Sequence, residues 1–391
     1  MSEGIVETQN QSFIDKANFK FSQRVVSFLN HPGGGVIYVG VNPSGNVLPN
    51  NDIQHLKSSA ADQINNNISP CAKGLFDINV LRVNAKPVLQ VTVAGGVMRP
   101  YFILKEGMSP DGCFRRSESS MVKMTREEIE AAKSRDKDRG RCLCNIPSPN
   151  ERLSFNQLRI AYQEAMLEHS QRLSTELDLF LKSGPTGNYN MAGYLLSDQN
   201  LKNIGISKYS CPVAERNRND QVERWDMTER GRSVITSLNM ALNKVEVEAP
   251  GFAEVTFLRL MERSLVDKQA LREAVVNAVV HNDYSMGNPI IEIFSDVISV
   301  VSCGGLIKGF SRQDMFSGRS MPRNRELLRV FKDLGFSDHV GSGVRYVASR
   351  YDESIFHTTD KLFRVTFPLD YPPRAASDLP DESSPLTIAD I

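Results

Sequence analysis

The sequence predicts an α+β chain with an N-terminal α/β domain, a mainly helical middle region and a C-terminal α/β domain. A length of 391 residues is enough for two or three domains. Helical and strand patterns alternate at both ends of the chain, whereas helical spacing dominates the middle. A dense run of mixed charge, KSRDKDRGR, separates the first part from the rest and is typical of a linker.

These changes of pattern give the expected boundaries. The last segment is rich in Pro, Ser and Asp and poor in apolar residues, so we expect it to be disordered. The predicted units are an N-terminal domain at 1–132, a charged linker at 133–150, a mainly helical middle region at 151–262, a C-terminal domain at 263–371 and a disordered tail at 372–391.

The N-terminal elements follow from spacing and from residues that end helices. Apolar residues at helical spacing in 21–29 predict a helix, which Pro and Gly in 31–35 terminate. The run 36–41 predicts a buried strand, and two more strands are expected at 77–83 and 88–93. Thr125 and Glu128 have capping-box spacing and predict that a short helix begins there.

The later elements are read in the same way. Middle-region helices are expected at 154–169 and 232–242. The C-terminal domain is expected to contain a strongly apolar helix within 267–285, strands at 289–294 and 297–302, a Gly304-Gly305 pair, a helix at 325–334, a Gly341-Ser342-Gly343 turn before another helix, and a last strand at 363–369.

Composition excludes several classes of protein. Lys+Arg and Asp+Glu are both 46, so any affinity for nucleic acid must come from local patches of charge. The six cysteines form no Cys-x-x-Cys pair, and we expect no zinc, no disulfide framework, and neither flavin nor nicotinamide. MSEGIVETQN has no apolar run, and no stretch approaches the ~18 apolar residues of a membrane helix. We therefore expect a cytoplasmic protein without a membrane partner.

A polar stripe runs along the most apolar helix of the C-terminal domain. Glu273, Asn277 and His281 are spaced i, i+4 and i+8, so they share one helix face. Polar groups in so apolar a helix are costly unless they are used. The stripe indicates either a set of buried hydrogen bonds or a ligand site.

Four motifs in order over about 100 residues resemble the GHKL ATPase fold, in the version found in RecG-related and regulator proteins. They are LREAVVNAVVHNDYS, PIIEIFSDVISVVSCGGL, SMPRNRELLRVFKDLGF and HVGSGVRYV. The resemblance implies an α/β sandwich that binds ATP with Mg²⁺. Glu273 then matches the residue that activates water, and Asn277 the residue that holds Mg²⁺ on the phosphates.

The same resemblance implies further nucleotide-binding residues: His281, Asp283, Gly304, Gly305, Gly341, Ser342 and Gly343. Glycine turns before a helix offer backbone N–H groups to phosphate. The family's Asp-x-Gly-x-Gly acid, which binds the adenine amino group, is replaced by Ser302 or Cys303, and Asp296 lies earlier in the chain. We therefore expect at most a weak ATPase.

Arg323 and Asn324 match an Arg-Asn motif of this family. One interpretation is contact with phosphate or nucleic acid, and the other is a helix start capped by Asn324.

The first 125 residues resemble the Schlafen-like AlbA domain. The resemblance is carried by Glu7 to Phe13, by SQRVVSFLNHPGGGVIYVGVNPSG and by MRPYFILKEGMSPDGCFRRSESS. Nuclease members gather a divalent metal with three acids, of which Glu7 is present as a catalytic candidate, while Ser12 and Asn42 occupy the other two positions. Asp15 and Asp52 lie elsewhere. A nuclease is therefore not expected, because one carboxylate holds Mg²⁺ poorly.

A phosphate-binding surface is expected to remain in this domain. Its candidate residues are Arg99, Lys105, Arg115, Arg116 and Ser117. The alternative is a solvated face held by salt bridges.

The two resemblances together imply a prokaryotic, nucleic-acid-binding transcriptional regulator, with DNA or RNA and a nucleotide as partners. Two other functions stay open: a metal-dependent Schlafen-type nuclease, for example in phage defence, and a non-catalytic interaction scaffold. Because GHKL-type domains often pair, a homo-oligomer is also a prediction. The sequence contains no Gly-x-x-x-x-Gly-Lys-Ser/Thr motif, which argues against a helicase motor.

Overall fold

The computed structural model has an α+β fold, as the sequence predicts. It describes residues 7–42, 46–48, 52–83, 86–134, 142–165, 182–183, 188–209, 211–215, 222–223, 232–248, 251–256, 259–264, 266–336 and 341–369. Residues 135–141 of the predicted linker and the predicted tail at 372–391 lie outside these residues.

The N-terminal domain is built on a four-stranded mixed sheet. Its spatial order is β1 (Gln11–Ile14), β2 (Gly35–Val39), β5 (Lys86–Val93) and β4 (Phe76–Val83). The first pair is parallel, and the other two pairs are antiparallel. The sequence-predicted strands in this domain are therefore confirmed to within two residues at their starts and ends.

Two helices pack on this sheet. Helix α1 (Phe19–Leu29) begins at Asn18, whose side chain accepts from the amides of Lys20 and Phe21, and it buries Phe21, Val25 and Phe28. Helix α2 (Ile53–Asn67) is largely polar and buries only Ala60 and Ile64. Such a sparse apolar pattern explains why periodicity alone did not predict α2.

Smaller elements complete the domain. The short strands are β3 (Ile68–Ser69), β6 (Phe102–Ile103), β7 (Phe114–Ser117) and β8 (Ser120–Lys123). Helix α3 (Arg126–Ser134) follows the predicted capping box. The Glu128 carboxylate accepts from the Thr125 amide at 2.9 Å, and the Thr125 hydroxyl accepts from the Glu128 amide at 3.2 Å.

A second, six-stranded sheet organises the C-terminal part. In spatial order its strands are β12 (Val222–Glu223), β11 (Gly205–Tyr209), β15 (Ile290–Ile293), β16 (Val297–Cys303), β18 (Leu362–Pro368) and β17 (Phe356–Thr358). Strand β11 is parallel to β15, and the other pairs are antiparallel.

The middle region shares a core with the C-terminal domain. Leu196, Ile206 and Leu238 belong to one buried cluster with Val276 and Phe331. The boundary expected at 262/263 therefore falls inside a single packing unit, and residues 151–262 contribute strands as well as helices. A strand as short as β11 finds its partner 85 positions later in the chain, which local patterns do not reveal.

The remaining helices of this unit are α4 (Asn156–Ala165), α5 (Met191–Leu196), α6 (Val234–Glu248), α7 (Lys268–His281), α8 (Arg312–Phe316), α9 (Arg325–Asp333) and α10 (Ser342–Arg350). Two antiparallel pairs join β9 (Lys182–Ser183) to β10 (Asn188–Tyr189) and β13 (Gly251–Thr256) to β14 (Arg259–Ser264). Turns of 3-10 helix cover Leu104–Glu106, Leu143–Asn145, Val213–Glu215 and Glu353–Ile355.

The two sheets belong to parts of the chain that contact each other directly. The Gly95 amide donates to the Ser320 carbonyl at 2.8 Å. Val97 packs with Ile307 and Met321 in a small buried cluster. Lys332 of α9 forms an ion pair with Asp77, which has little exposed surface. The contacts join the N-terminal domain to the loop after β16 and to helix α9.

In the part of the chain that the structure describes, every helix is too short or too polar to span a membrane.

Candidate nucleotide site and N-terminal polar cluster

A deep cleft lies between α7, the ends of β16 and β18, and the start of α10. It is partly open to solvent, and most of its lining is apolar. Asn277 and His281 of α7 and Gly341 and Gly343 at the start of α10 are among its lining residues. A mostly apolar cleft with a few polar groups is typical of a small-molecule site.

The predicted polar stripe meets the predicted glycine turn inside this cleft. A Cβ on Gly343 would lie 2.5 Å from Glu273 Oε2 and 2.9 Å from Asn277 Nδ2. Glycine therefore allows α10 to approach the two polar side chains of α7. Glu273 is 7% exposed and lies behind this contact, whereas Asn277 is among the residues that line the cleft.

His281 lines the cleft one turn after Asn277. Desolvation, followed by the positive charge of Arg323, lowers the pKa of His281 to about 4. The imidazole is consequently neutral near neutral pH. It can offer a hydrogen bond to a ligand but no positive charge for phosphate.

The Arg323-Asn324 pair braces the end of α7. Arg323 Nε donates to the His281 carbonyl and Nη2 to the Gly305 carbonyl, both at 3.0 Å. Asn324 Nδ2 donates to the Asn282 carbonyl at 2.8 Å. These bonds hold the helix end against the glycine pair, and Arg323 also lines the cleft.

The Asp283 side chain is buried beside the turn that follows α7. It is 3% exposed, and its Oδ1 accepts from the Ser285 amide at 3.1 Å and from the Ser285 hydroxyl at 2.5 Å. The side chain thus stabilises the turn that follows α7. Asp283 lies near the cleft without being one of its lining residues.

The glycines beside the cleft are required by the backbone. Gly304 has φ +84, and a Cβ on Gly305 would lie 2.0 Å from the Thr359 carbonyl oxygen. Gly341 has φ +81 and is the N-cap residue of α10, and Ser342 is the first residue of that helix. The first amides of α10 therefore begin at the edge of the cleft, where the helix start favours an anion.

Strand β16 ends where the sequence has Ser302 and Cys303 in place of the family's adenine-binding Asp. Ser302 lines the cleft and is 2% exposed. Asp296 lies six residues earlier, about 20 Å along a strand, and its Oδ1 accepts from the Val213 amide. Among the lining residues that the structure describes there is no carboxylate.

The N-terminal domain places the Glu7 carboxylate in a small polar cluster. Glu7 Oε1 accepts from the Ser12 hydroxyl at 2.9 Å and from the Phe13 amide at 3.0 Å. The Arg24 guanidinium bonds both Glu7 and Ser12. Burial opposes the charge on Glu7, but the Phe13 amide and Arg24 outweigh it and hold the pKa of Glu7 below its ordinary value.

The other positions of the expected nuclease triad also have local roles. Asn42 Oδ1 accepts from the Asn46 amide at 2.8 Å, across the turn after β2. Asp52 caps α2 by accepting from the His55 amide at 2.8 Å, and Asp15 is exposed. Arg24 thus supplies the positive charge beside Glu7, and the sequence motif had given no reason to single it out.

The two arginines of β7 have different surroundings. Arg116 is 5% exposed; its Nε donates to the Gln9 carbonyl at 3.2 Å and its Nη2 to the Ser119 carbonyl at 2.9 Å. Its guanidinium also lies 4.8 Å from the centre of the Phe28 ring. Arg115 is exposed enough to reach solvent and pairs with Glu128 at 2.8 Å. Arg116 therefore offers little surface to a ligand.

The other candidates for a phosphate-binding surface are spread over the same end of the domain. Lys105 is exposed in the 3-10 turn at Leu104–Glu106, and Ser117 is half-buried at the end of β7. Arg99 is half-buried and already has interactions within the protein. Lys105 and Arg115 are thus the cations of this set with the most accessible surroundings.

The segment between β16 and α9, which includes α8, carries cleft residues that were not among the predicted site residues. Ile307, Ser320 and Met321 line the cleft and also contact the N-terminal domain. Arg319 lines the cleft and lies against Gly33, where a Cβ would come within 2.5 Å of Arg319 Cδ. Ser320 and Met321 begin the third motif, and Ile307 and Arg319 lie between the second and third motifs. Neither position indicates a contact with the N-terminal domain.

Two family models match the chain. Residues 6–125 match the model described as "Schlafen, AlbA_2", and residues 287–367 match the model described as "Putative ATP-dependent DNA helicase recG C-terminal". These matches confirm the predicted architecture, with nucleic-acid-binding and ATPase-like regions at the coarse level. The second match begins after α7, so the assignment of Glu273, Asn277 and His281 depends on the motif and the geometry.

A solved structure is also similar to this chain. The DIP2311 protein from Corynebacterium diphtheriae is 18% identical, and the alignment covers 92% of this chain and 75% of that chain with a TM-score of 0.49. No curated protein matches the chain.

Proposed function

We propose that this chain, which joins a Schlafen AlbA_2 region to a recG-type ATPase-like region, is a nucleic-acid-binding regulator that senses ATP with Mg²⁺. The observation that carries the proposal is the cleft between α7 and α10. Asn277 and the start of α10 both line this cleft, and they lie against each other at Gly343.

Each part of this site has a task in binding. The amides at Ser342 and Gly343 receive phosphate oxygens, because a helix start has unpaired N–H groups and a positive dipole end. The Asn277 amide oxygen would help to hold Mg²⁺, which prefers oxygen donors and would neutralise phosphate charge. His281 is neutral and would act as a hydrogen-bonding group in the cleft.

The part of the cleft next to β16 and β18, where we place the nucleobase, has few groups that could select one base over another. Ser302 and apolar residues such as Val300 and Phe363 line it, and the described lining holds no carboxylate to accept from the adenine amino group. A hydroxyl can pair with either a donor or an acceptor on a base. We therefore expect ATP and GTP to bind with similar affinity.

We propose that binding matters more than turnover. Glu273 is buried behind the Gly343 contact and lies outside the lining of the cleft. A general base must come within hydrogen-bond reach of the attacking water. Hydrolysis is accordingly slow, and the site acts as a sensor.

The segment between β16 and α9, which includes α8, contacts both the cleft and the N-terminal domain and can therefore couple them. Its residues Ile307, Ser320 and Met321 have one side on the cleft and the other on the N-terminal domain. A ligand that shifts this segment must therefore also alter the packing around Val97 and Gly95. Coupling of two sites requires such an element with differential contacts.

The nucleic-acid surface is proposed around Lys105 and Arg115. These cations contact phosphates and position the chain without selecting a sequence. Arg116, Arg323 and Asn324 support the fold through backbone carbonyls, so their effect on nucleic acid is indirect. Pairing of two C-terminal domains into a homo-oligomer and a role in transcription stay predictions from the resemblance.

The decisive experiment is a thermal-shift titration of the full chain with ATP, ADP and GTP in the presence of Mg²⁺. A ligand at 100 times its dissociation constant stabilises by about 2.7 kcal/mol. Asn277→Ala should lose most of this shift, whereas Asn79→Ala, a half-buried asparagine on β4, should keep it. A shift that is equal in wild type and Asn277→Ala would contradict the proposed site.

The two alternative functions give different results. Mg²⁺- or Mn²⁺-dependent cleavage of RNA or DNA that Glu7→Ala abolishes would favour a nuclease. Absence of both a nucleotide shift and salt-sensitive binding to a labelled RNA or duplex DNA would favour a scaffold.

A further inference from the structure

Two cysteines and a glutamate meet at the junction of the two parts of the protein. Cys142 Sγ lies 3.0 Å from Cys144 Sγ and 3.7 Å from Glu326 Oε1. One donor atom from each of the three residues lies within 4.8 Å of the other two. Cys142 is 2% exposed and Glu326 is 4% exposed, and Cys144 is half-buried.

The cluster is assembled from three distant segments. Cys142 precedes the 3-10 turn at Leu143–Asn145, and Cys144 lies within it. Glu326 is in the first turn of α9, 184 positions after Cys142. From the N-terminal domain, Met98 Sδ approaches Cys144 Sγ to 3.8 Å. The absence of a Cys-x-x-Cys pair in the sequence had argued against zinc. The third donor, the Glu326 carboxylate, comes from a distant part of the chain.

One oxygen of the carboxylate lacks a partner within the described chain. Glu326 Oε1 accepts from Arg325 Nε at 3.1 Å, while Glu326 Oε2 is buried and has no hydrogen-bond partner among the described residues. A buried carboxylate oxygen without a partner is costly. The unsatisfied oxygen belongs to the residue that completes a set of metal donors.

The charges of the cluster balance around a divalent ion. Two thiolates and one carboxylate carry three negative charges, and Arg325 with a divalent cation carries three positive charges. Such a neutral group is far less costly to bury than any of its parts alone. When the ion binds, each thiol releases one proton to solvent and forms one metal–sulfur bond.

We propose that Cys142, Cys144 and Glu326 form a binding site for Zn²⁺, which ties the linker and helix α9 together beside the N-terminal domain. Thiolates select zinc over magnesium or calcium. Tetrahedral bonds of about 2.3 Å to sulfur and about 2.1 Å to oxygen place the sulfur and oxygen about 3.6 Å apart, close to the observed sulfur–oxygen distance.

The same geometry requires one adjustment. Two zinc-bound sulfurs lie about 3.8 Å apart, so the cysteine sulfurs must separate by roughly 0.8 Å from their present positions. Rotation of the half-buried Cys144 side chain provides this movement. Asn145 Oδ1, 3.7 Å from Cys144 Sγ, or a water molecule then completes the four ligands.

A disulfide between Cys142 and Cys144 is the competing chemistry, because their sulfurs are already close. It would use neither Glu326 nor a cation. The experiment therefore distinguishes an ion held by three residues from a bond between two.

The test uses the full chain purified with a reductant, stripped of metal by a chelator and titrated with Co²⁺ and then Zn²⁺. We expect one Co²⁺ per chain, a thiolate-to-cobalt charge-transfer band, and loss of that band when Zn²⁺ displaces Co²⁺. Glu326→Gln should weaken Co²⁺ binding by more than about tenfold, since even outer partners of metal ligands contribute about 10–100-fold. Cys113→Ser, which removes a buried thiol elsewhere, should leave binding unchanged.

A second measurement needs no variant and is therefore independent of folding defects. Zn²⁺ should protect Cys142 and Cys144 from alkylation, and chelation should expose them, as peptide mass spectrometry can show. The proposal is overturned if Co²⁺ produces no thiolate band, if Cys142→Ser/Cys144→Ser binds as tightly as wild type, or if the two residues are still joined by a disulfide in protein purified with the reductant.

Discussion

Replacing Gly343 with alanine tests the close contact between α10 and α7 beside the cleft. The new Cβ would lie 2.5 Å from Glu273 Oε2 and 2.9 Å from Asn277 Nδ2. The backbone of Gly343 is helical and its φ is outside the left-handed region, so the substitution acts through these contacts. Both side chains must give way, and Asn277 belongs to the proposed nucleotide site.

Two opposing terms set the effect on the free protein. Alanine is favoured over glycine in a helix by about 1 kcal/mol. Overpacking of a well-packed site costs about 1–3 kcal/mol. We therefore expect the free energy of unfolding to fall by about 0–2 kcal/mol, which leaves the protein folded.

The effect on the nucleotide should be larger than the effect on the fold. If displacement of Asn277 weakens ATP binding by about 100-fold, a concentration that stabilises wild type by about 2.7 kcal/mol stabilises the variant by only about 0.4 kcal/mol. The assay is urea unfolding with and without ATP and Mg²⁺. Gly205→Ala is the control, because its Cβ would lie no closer than 3.5 Å to Ile290. A folded Gly343→Ala protein with the full ATP effect would refute the reasoning.

Three further predictions concern charge. His281 has a folded-state pKa of about 4 against 6.5 when unperturbed, so its neutral form contributes stability above about pH 6.5 that is lost as the pH falls toward about 4. In His281→Gln the melting temperature should therefore depend less on pH across that window than in wild type, and identical pH profiles of the two proteins would count against this role. Arg24→Met should lower the free energy of unfolding by about 1–3 kcal/mol in urea denaturation by depriving Glu7 of its cation, and an unchanged midpoint would exclude this role. Lys105→Ala should reduce the slope of log affinity against log salt by about 0.7–0.9, while Lys57→Ala on α2 should not, and equal slopes for the two variants would remove Lys105 from the nucleic-acid surface.

The sequence predicted the buried strands well, because a strand that is covered by other elements is a continuous apolar run. Strand β16 was expected at 297–302 and covers Val297–Cys303, and β15 was expected at 289–294 and covers Ile290–Ile293. The capping box at Thr125 was equally direct, since its two hydrogen bonds are local. Local signals of this kind are sufficient where packing agrees with them.

Contacts between distant segments could not be predicted in this way. Helix α2 is polar on most faces, and β11 is recognised only through its pairing with β15. The bonds of Arg24 to Glu7 and Ser12 depend on α1 folding back beside β1. The approach of Cys142 to Glu326 depends on the docking of two parts of the chain, which no motif encodes.

The candidate site was predictable in part for the same reason. Helical spacing placed Glu273, Asn277 and His281 on one face, but it did not indicate that Glu273 would lie against Gly343 and outside the lining of the cleft. Likewise, Arg116 was expected at a surface, and burial over Phe28 makes it a part of the fold. Burial of a charged side chain is a property of its neighbours in space, which the sequence does not reveal.

The most direct test of the nucleotide-sensing account is the affinity of the full chain for a labelled RNA and a labelled duplex DNA, measured by fluorescence anisotropy with and without ATP and Mg²⁺. Coupling between sites commonly amounts to about 5–150-fold in affinity. The account predicts a change of at least about fivefold in wild type and none in Asn277→Ala. Nucleic-acid affinity that stays the same while ATP occupies the wild-type cleft would contradict it.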